Sequence, residues 1–201
     1  MSLGLFLMLL LNFCISWFNA WSVARSWADS KVIGGWTRFV TWCGAIMSAA
    51  GFTWCYTTIV ALTAGATGYL GPKYVQAVLE LGYVVMILPL LGSGLGIWID
   101  SMTTACRRRD LLSVGGAAWN SYAQIHNTYQ AATVLPGVFK HLTRVFGEGD
   151  GDRDSASGRA LMLVLVLVLF ALCGGVLTTM AIIRSVGRDY SREVIKDITS
   201  K

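Results

Sequence analysis

The feature that most constrains the fold is a run of 24 residues without a charged side chain, Ala160 to Ile183. Its centre alternates leucine and valine, which is typical of a β-strand only when one face is polar. Here both faces are apolar. As a helix the run is about 36 Å long, enough to cross a hydrocarbon core of about 30 Å. Since a lone strand in lipid leaves its backbone groups without partners, the run predicts a transmembrane helix.

Further uncharged runs occupy Met1–Ala24, Phe39–Pro72 and Leu81–Ile99. The chain is 55% hydrophobic and only 13% charged, whereas a soluble domain is about one quarter charged. The first run lacks the basic start of a cleavable signal peptide, so we interpret it as a retained span. The sequence therefore predicts an all-α polytopic integral membrane protein. Its predicted transmembrane helices are four, at about 3–24, 39–66, 75–99 and 160–183.

With four spans, both termini lie on one side of the membrane and the connections 25–38 and 100–159 lie on the other. These two connections hold ten lysines and arginines, against six on the terminal side. The positive-inside rule then places the long connection in the cytoplasm. A fifth span over Leu111–Phe139 is the alternative, because that stretch has no formal charge apart from a possible one on His126. The five-span topology places eleven basic residues on the cytoplasmic side and five on the opposite side.

The polar residues of this stretch favour four spans over five, because polar groups that face lipid are costly. They are Asn120, Gln124, His126, Asn127 and Gln130. An apolar stripe of the same helix comprises Ala118, Tyr122, Ile125 and Tyr129. We therefore predict that 111–146 forms an amphipathic helical segment, at the membrane interface or packed on the bundle.

Four regions follow along the chain: a three-span region over 1–110, the amphipathic segment over 111–146, an acidic flexible loop over 147–158, and a fourth span over 159–201 that continues into a charged helical tail. The loop, GEGDGDRDSASG, has no apolar face. Its alternating carboxylates lack the spacing of an EF-hand, so it is interpreted as a solvated linker.

The tail carries basic, acidic and apolar residues that each repeat every four positions, which predicts stripes along a continuing helix. An apolar row on an exposed helix needs a partner to cover it. The predicted interaction residues of this tail are Arg188, Tyr190, Arg192, Val194 and Ile198.

The third span holds the residues that we single out for helix packing or for a pore: Glu80, Pro89, Gly92, Gly94 and Gly96. Gly92 and Gly96 form a GxxxG pair, which lets two helices approach closely. A broken helix at Pro89 that lines a binding site is the alternative. Glu80 sits either at the interface or inside the bundle, where a carboxylate is expensive unless it is paired.

No catalytic motif accompanies these residues. The five cysteines form no CxxC pair, the two histidines stand fifteen positions apart, and no HExxH, GxSxG or Walker sequence is present. We therefore expect no enzyme activity, no catalytic residues, no cofactor and no metal. The net charge of +5 lies at membrane borders and does not indicate nucleic-acid binding.

The predicted function is a non-enzymatic integral membrane subunit of a larger membrane assembly, of a secretion, conjugation or phage-related kind. Its expected partners are the lipid bilayer and either further copies of itself or other membrane-protein subunits. The expected location is a bacterial inner membrane. The alternative is a small oligomeric channel, a holin-like pore or a transporter that uses Glu80 and the glycine-rich third span.

Overall fold

The structure, a computed structural model, describes residues 3–147 and 155–199; the side chains of 28–33, 147, 155–157, 189 and 191–199 lie outside its described part. The elements are five helices: α1 Leu3–Ile33, α2 Gly35–Ala66, α3 Pro72–Arg108, α4 Leu111–Gly147 and α5 Ser155–Thr199. Over the described residues the all-α prediction is confirmed. The predicted acidic loop falls largely outside the described residues, and α5 already begins within its last part, at Ser155.

Four of the helices contain stretches that are long and apolar enough to cross a membrane: Leu3–Trp27, Gly35–Ala66, Pro72–Arg108 and Gly158–Arg188. They coincide with the four predicted spans and extend beyond them at most ends. The exception, α4, has 37 residues, as many as α3. Its polar residues keep it below the hydropathy of the other four.

Each helix runs antiparallel to the one before it. Between α1 and α2, the hydroxyl of Ser48 in α2 donates to the carbonyl of Ser16 in α1 at 2.8 Å. Trp36, at the start of α2, donates to Asp100 near the end of α3 at 2.7 Å. We call the end of the bundle where α1, α3 and α5 begin the first end, and the opposite one the second end.

α4 follows α3 back to the first end. Ser121, in the first third of α4, accepts a hydrogen bond from Trp98 of α3. His141, near the end of α4, contacts Glu80 near the start of α3. α5 therefore starts at the first end and runs antiparallel to α2.

The described chain begins and finishes at opposite ends of the bundle, whereas the four-span prediction expects both termini on one side of the membrane. α1 begins at the first end and α5 finishes at the second. The physical reason is that α4 lies along α3 as a full-length helix and so returns the chain to the first end before α5 starts. The segment 111–146 is packed on the bundle, one of the two placements expected for it.

α2 is the central helix and packs against α1, α3 and α5. Toward the first end, Ala61 and Val78 form a buried cluster with Val164 and Val168 of α5. Toward the second end, Phe52 packs with Ala20 of α1 and Ile182 of α5. The two clusters thus join α1, α2, α3 and α5, and α4 adds Phe146 at the edge of the first cluster together with its own buried residues Ala117, Ala131 and Val138.

The connections at the second end are tight. Gly34 and Gly35 have φ values of 64° and 51°, which favour glycine and turn the chain from α1 into α2. Asp110 caps α4 by accepting the Ser113 N–H at 2.8 Å. That hydrogen bond, followed by smaller influences that include the positive charge of Arg108, lowers the pKa of the Asp110 carboxyl.

Candidate functional site

The α3–α4 interface contains the carboxylate that the sequence singled out. Glu80 Oε2 lies 2.5 Å from His141 Nδ1, and the other carboxylate oxygen accepts a 2.8 Å hydrogen bond from Gln76. The side chains of Glu80 and His141 are 16% and 25% exposed. Glu80 stands eight residues after the start of α3, about 12 Å along its axis. Both oxygens of this carboxylate are therefore satisfied before any ligand or ion is added.

The interface continues toward the second end as a polar seam between α3 and α4. Gln124 Nε2 donates to the Leu91 carbonyl at 3.3 Å, and Trp98 Nε1 donates to Ser121 Oγ at 2.8 Å. Asn127, on the same face of α4, is half-buried. The polar face of α4 thus turns toward α3.

The opposite face of α4 is apolar and exposed. Tyr122, Ile125 and Tyr129 are 61%, 70% and 65% exposed, and Ala118 is exposed as well. Among the described residues, α4 has α3 as its one extensive helix neighbour. We call this face, Ala118, Tyr122, Ile125 and Tyr129, the outer stripe.

The three glycines of α3 occupy different environments. A Cβ at Gly94 would lie 2.5 Å from Gln124 Oε1, and one at Gly96 would lie 2.8 Å from the Phe39 ring. Gly92 is exposed, with nothing near its Cβ position. Gly94 and Gly96 therefore provide close approach to α4 and α2, whereas Gly92 faces the surroundings of the bundle.

Pro89 lies inside α3, which continues through it as one helix. Its ring nitrogen has no hydrogen to donate to the preceding turn. The Pro89 carbonyl, which lies within the helix, accepts a 2.6 Å hydrogen bond from the Ser93 hydroxyl. The structure thus places Pro89 in a continuous helix, between the Glu80 pair and the glycines.

A buried hydroxyl network was missed by the sequence analysis. Ser48 Oγ donates to the Ser16 carbonyl and lies 3.0 Å from Thr179 Oγ1, which joins α1, α2 and α5. Tyr56 and Thr178 make a second α2–α5 link of 2.8 Å. Ser48 stands four positions after Gly44 in the sequence, a spacing of small residues typical of helix packing, but the sequence does not show which helix each hydroxyl contacts. Such hydrogen bonds hold apolar helices together where the hydrophobic effect cannot.

The tail residues are placed only in part. The Arg188 Nε donates to the Arg184 carbonyl at 3.1 Å, and the Tyr190 ring lies 5.7 Å from the guanidinium carbon of Arg25 in α1. The side chains of Arg192, Val194 and Ile198 lie outside the described residues, although their backbone belongs to α5. The start of the tail therefore contacts the end of α1.

Glu80 and His141 allow a direct measurement of their interaction. In a double-mutant cycle with Glu80→Ala and His141→Ala, we expect a coupling of about 1 kcal/mol in the free energy of unfolding, because each single variant leaves a half-buried polar partner unsatisfied. Steric trapping in bicelles supplies the four free energies. Replacing His141→Ala by Arg144→Ala, an exposed residue one turn further along α4, is the matched control. Equal coupling in both cycles would show a general charge effect.

The described residues contain no group of three or more His, Cys, Asp or Glu side chains placed to hold a metal ion. All five cysteines are free thiols. Comparison with protein-family models, with curated proteins and with solved structures finds no match to this chain.

Proposed function

We propose that this chain is an integral membrane protein that crosses the bilayer five times. The distribution of its side chains is the reverse of that in a water-soluble protein. Phe18, Phe170 and Leu177 are 61%, 68% and 65% exposed, while Ser48 and Thr53 are completely buried. Large apolar side chains all around a bundle are stable when the surrounding solvent is lipid, and the buried hydroxyls then serve as contacts between helices.

The fifth crossing follows from the direction of the helices. α3 and α5 both run from the first end to the second, so α4 has to carry the chain back across the same thickness. The inverted amphipathicity of α4 supports this path, since its polar face contacts α3 and its outer stripe faces outward. In lipid, the hydrogen bonds of Gln124 and Ser121 offset the cost of burying these groups.

The orientation follows from the basic residues. For a five-span path, the segments 25–38, 107–109 and 184–201 of the sequence share one side and contain eleven of the sixteen lysines and arginines, against five in the other segments. The eleven are Arg25, Lys31, Arg38, Arg107, Arg108, Arg109, Arg184, Arg188, Arg192, Lys196 and Lys201. By the positive-inside rule the second end is cytoplasmic. Because proteins of the bacterial outer membrane are closed sheets, the proposed location for this helical chain is a bacterial inner membrane.

Within that membrane, the proposed role is that of a non-enzymatic subunit of a larger membrane assembly, of a secretion, conjugation or phage-related kind. The observation that carries the proposal is the outer stripe, an aromatic face on a helix with one extensive neighbour. Aromatic residues are enriched at the centres of protein interfaces. The length of α5 adds support, because its 45 residues extend about 67 Å, well beyond the hydrocarbon core.

The outer stripe is tested by photocrosslinking in intact membranes. With benzoylphenylalanine in place of Tyr122, we expect adducts to a protein chain, either a second copy or another subunit. The same replacement at Phe170, which is similarly exposed but lies on α5, is expected to give lipid adducts. Removal of 191–201 is expected to reduce co-purification of partners through the tail. Lipid adducts alone at Tyr122, with a monomeric mass in detergent, would contradict the assembly role.

The alternative, a small oligomeric channel, holin-like pore or transporter, is favoured by one observation. Glu80 and His141 place a carboxylate and an imidazole in the outer part of a crossing, where several copies could line a water path with them. This alternative predicts ion flux in liposomes that Glu80→Gln or Gly94→Leu changes. If the original protein, Glu80→Gln and Gly94→Leu all give the ion flux of empty liposomes, the subunit role is favoured.

A further inference from the structure

An apolar groove of about 450 Å³ opens between α2 and α5 near the second end. Ala45 and Ala49 line its α2 side, Val176 and Met180 line its α5 side, and Trp42 stands toward its cytoplasmic mouth. Val176 and Met180 are 40% and 43% exposed, so the groove is open to the lipid. From Val176 to Arg184 it is about 12 Å long.

The mouth of the groove is positively charged. Arg184 is part of its lining, and Arg188 lies one turn further along α5. Arg38 lies one turn before Trp42 on the same face of α2, because residues four apart in a helix share a face. Among the described side chains, no carboxylate forms an ion pair with these three arginines. An anionic group at the membrane border would therefore meet positive charge that is not neutralised within the described bundle.

A second groove between the same two helices provides a comparison. It has a volume of about 370 Å³ and lies toward the first end, where Ala64 of α2 and Thr67, directly after α2, face Leu163 and Leu167 of α5. Every residue that lines it is uncharged. The two grooves thus share their helices and their apolar character, and they differ in the charge of the lining.

We propose that the groove at the second end binds one anionic phospholipid, with an acyl chain against Ala45 and Ala49 and the phosphate at Arg38 and Arg184. The groove supplies an apolar wall at the depth of the acyl chains. The arginines supply donors at the depth of the headgroups, where planar guanidinium groups bind phosphate oxygens in pairs. Trp27 and Trp42, whose rings lie 5.4 Å apart, stand at the level of the membrane interface that indoles prefer.

This inference rests on the proposed integration in a bilayer, and it is tested with the full chain in detergent. Equal amounts of phosphatidylglycerol and phosphatidylcholine are added, and native mass spectrometry counts the lipids retained on each chain. We expect one retained phosphatidylglycerol. The double variant Arg38→Gln, Arg184→Gln is expected to weaken its binding about 25-fold, since each basic residue near an anionic surface contributes about fivefold.

Two matched controls separate a site from a general charge effect. Lys140→Gln with Arg144→Gln removes the same charge at the first end and is expected to leave binding unchanged. Ala45→Phe fills the groove at the second end and is expected to abolish the retention of phosphatidylglycerol. Ala64→Phe fills the second groove and is expected to leave that retention unchanged. Equal retention of both lipids, equal weakening by the two charge variants, or retention by Ala45→Phe would each overturn the proposal.

The failure of this site and the failure of membrane integration give different results. If the chain is recovered in the aqueous phase after detergent phase separation, both the proposed membrane integration and the proposed lipid site are contradicted. If the chain is recovered in the detergent phase but retains no phosphatidylglycerol, only the proposed lipid site is contradicted. Size-exclusion profiles that match the original protein show that each variant is folded.

Discussion

A reporter fused after Lys201 is expected to face the cytoplasm, and a reporter fused ahead of α1 is expected to face the opposite side of the membrane. The reason is geometric: α1 begins at the first end of the bundle, α5 finishes at the second, and each of the five helices reverses the direction of the chain. Alkaline phosphatase and green fluorescent protein fusions at both termini give the answer, since the first is active only outside and the second fluoresces only inside.

Cysteines introduced into the connections refine this test. With the native cysteines replaced, a cysteine at Gly68, between α2 and α3, is expected to react with an impermeant reagent added to intact cells. One at Arg109, between α3 and α4, is expected to react only after the cells are opened. If both termini instead report the same side, α4 does not cross, and the five-span proposal fails while the four apolar helices stand.

The sequence was sufficient to locate the four apolar helices, because an uncharged run of that length has few alternatives to a membrane span. It was not sufficient to place α4. Hydropathy averages over both faces of a helix, so Gln124 and Asn127 count against a crossing wherever they point. In the structure Gln124 reaches the Leu91 carbonyl of α3 and Asn127 is half-buried, while Tyr122 and Tyr129 face outward.

The glycines show a similar limit. The spacing of Gly92 and Gly96 draws attention to α3, but a spacing pattern contains no information about which face meets another helix. Gly94 and Gly96 lie in close contacts, while Gly92 lies in open space. The pair of Glu80 with His141, 61 positions apart, was likewise beyond the sequence, because it depends on the register of α4 along α3.

Gly175 of α5 packs directly against the backbone of the central helix. A Cβ at this position would lie 2.7 Å from the Ala49 carbonyl oxygen and 2.8 Å from the Thr53 nitrogen, and it would also collide with the Thr53 hydroxyl. Two of these three groups are backbone atoms, which no change of rotamer can move. A larger side chain at Gly175 therefore has to push α5 away from α2.

Gly175→Leu is accordingly expected to lower the free energy of unfolding by about 3 kcal/mol or more. This loss exceeds the usual range for overpacking, because α5 would also lose the Ser48–Thr179 and Tyr56–Thr178 contacts. Gly92→Leu adds the same side chain in open space on α3 and is expected to change that free energy by less than about 1 kcal/mol, with a gain from helix propensity. Steric trapping in bicelles measures both variants. Gly175→Ala should fall between them, since one methyl group already meets both backbone atoms. Equal stability of the two leucine variants would mean that α5 does not pack closely against α2 at Gly175.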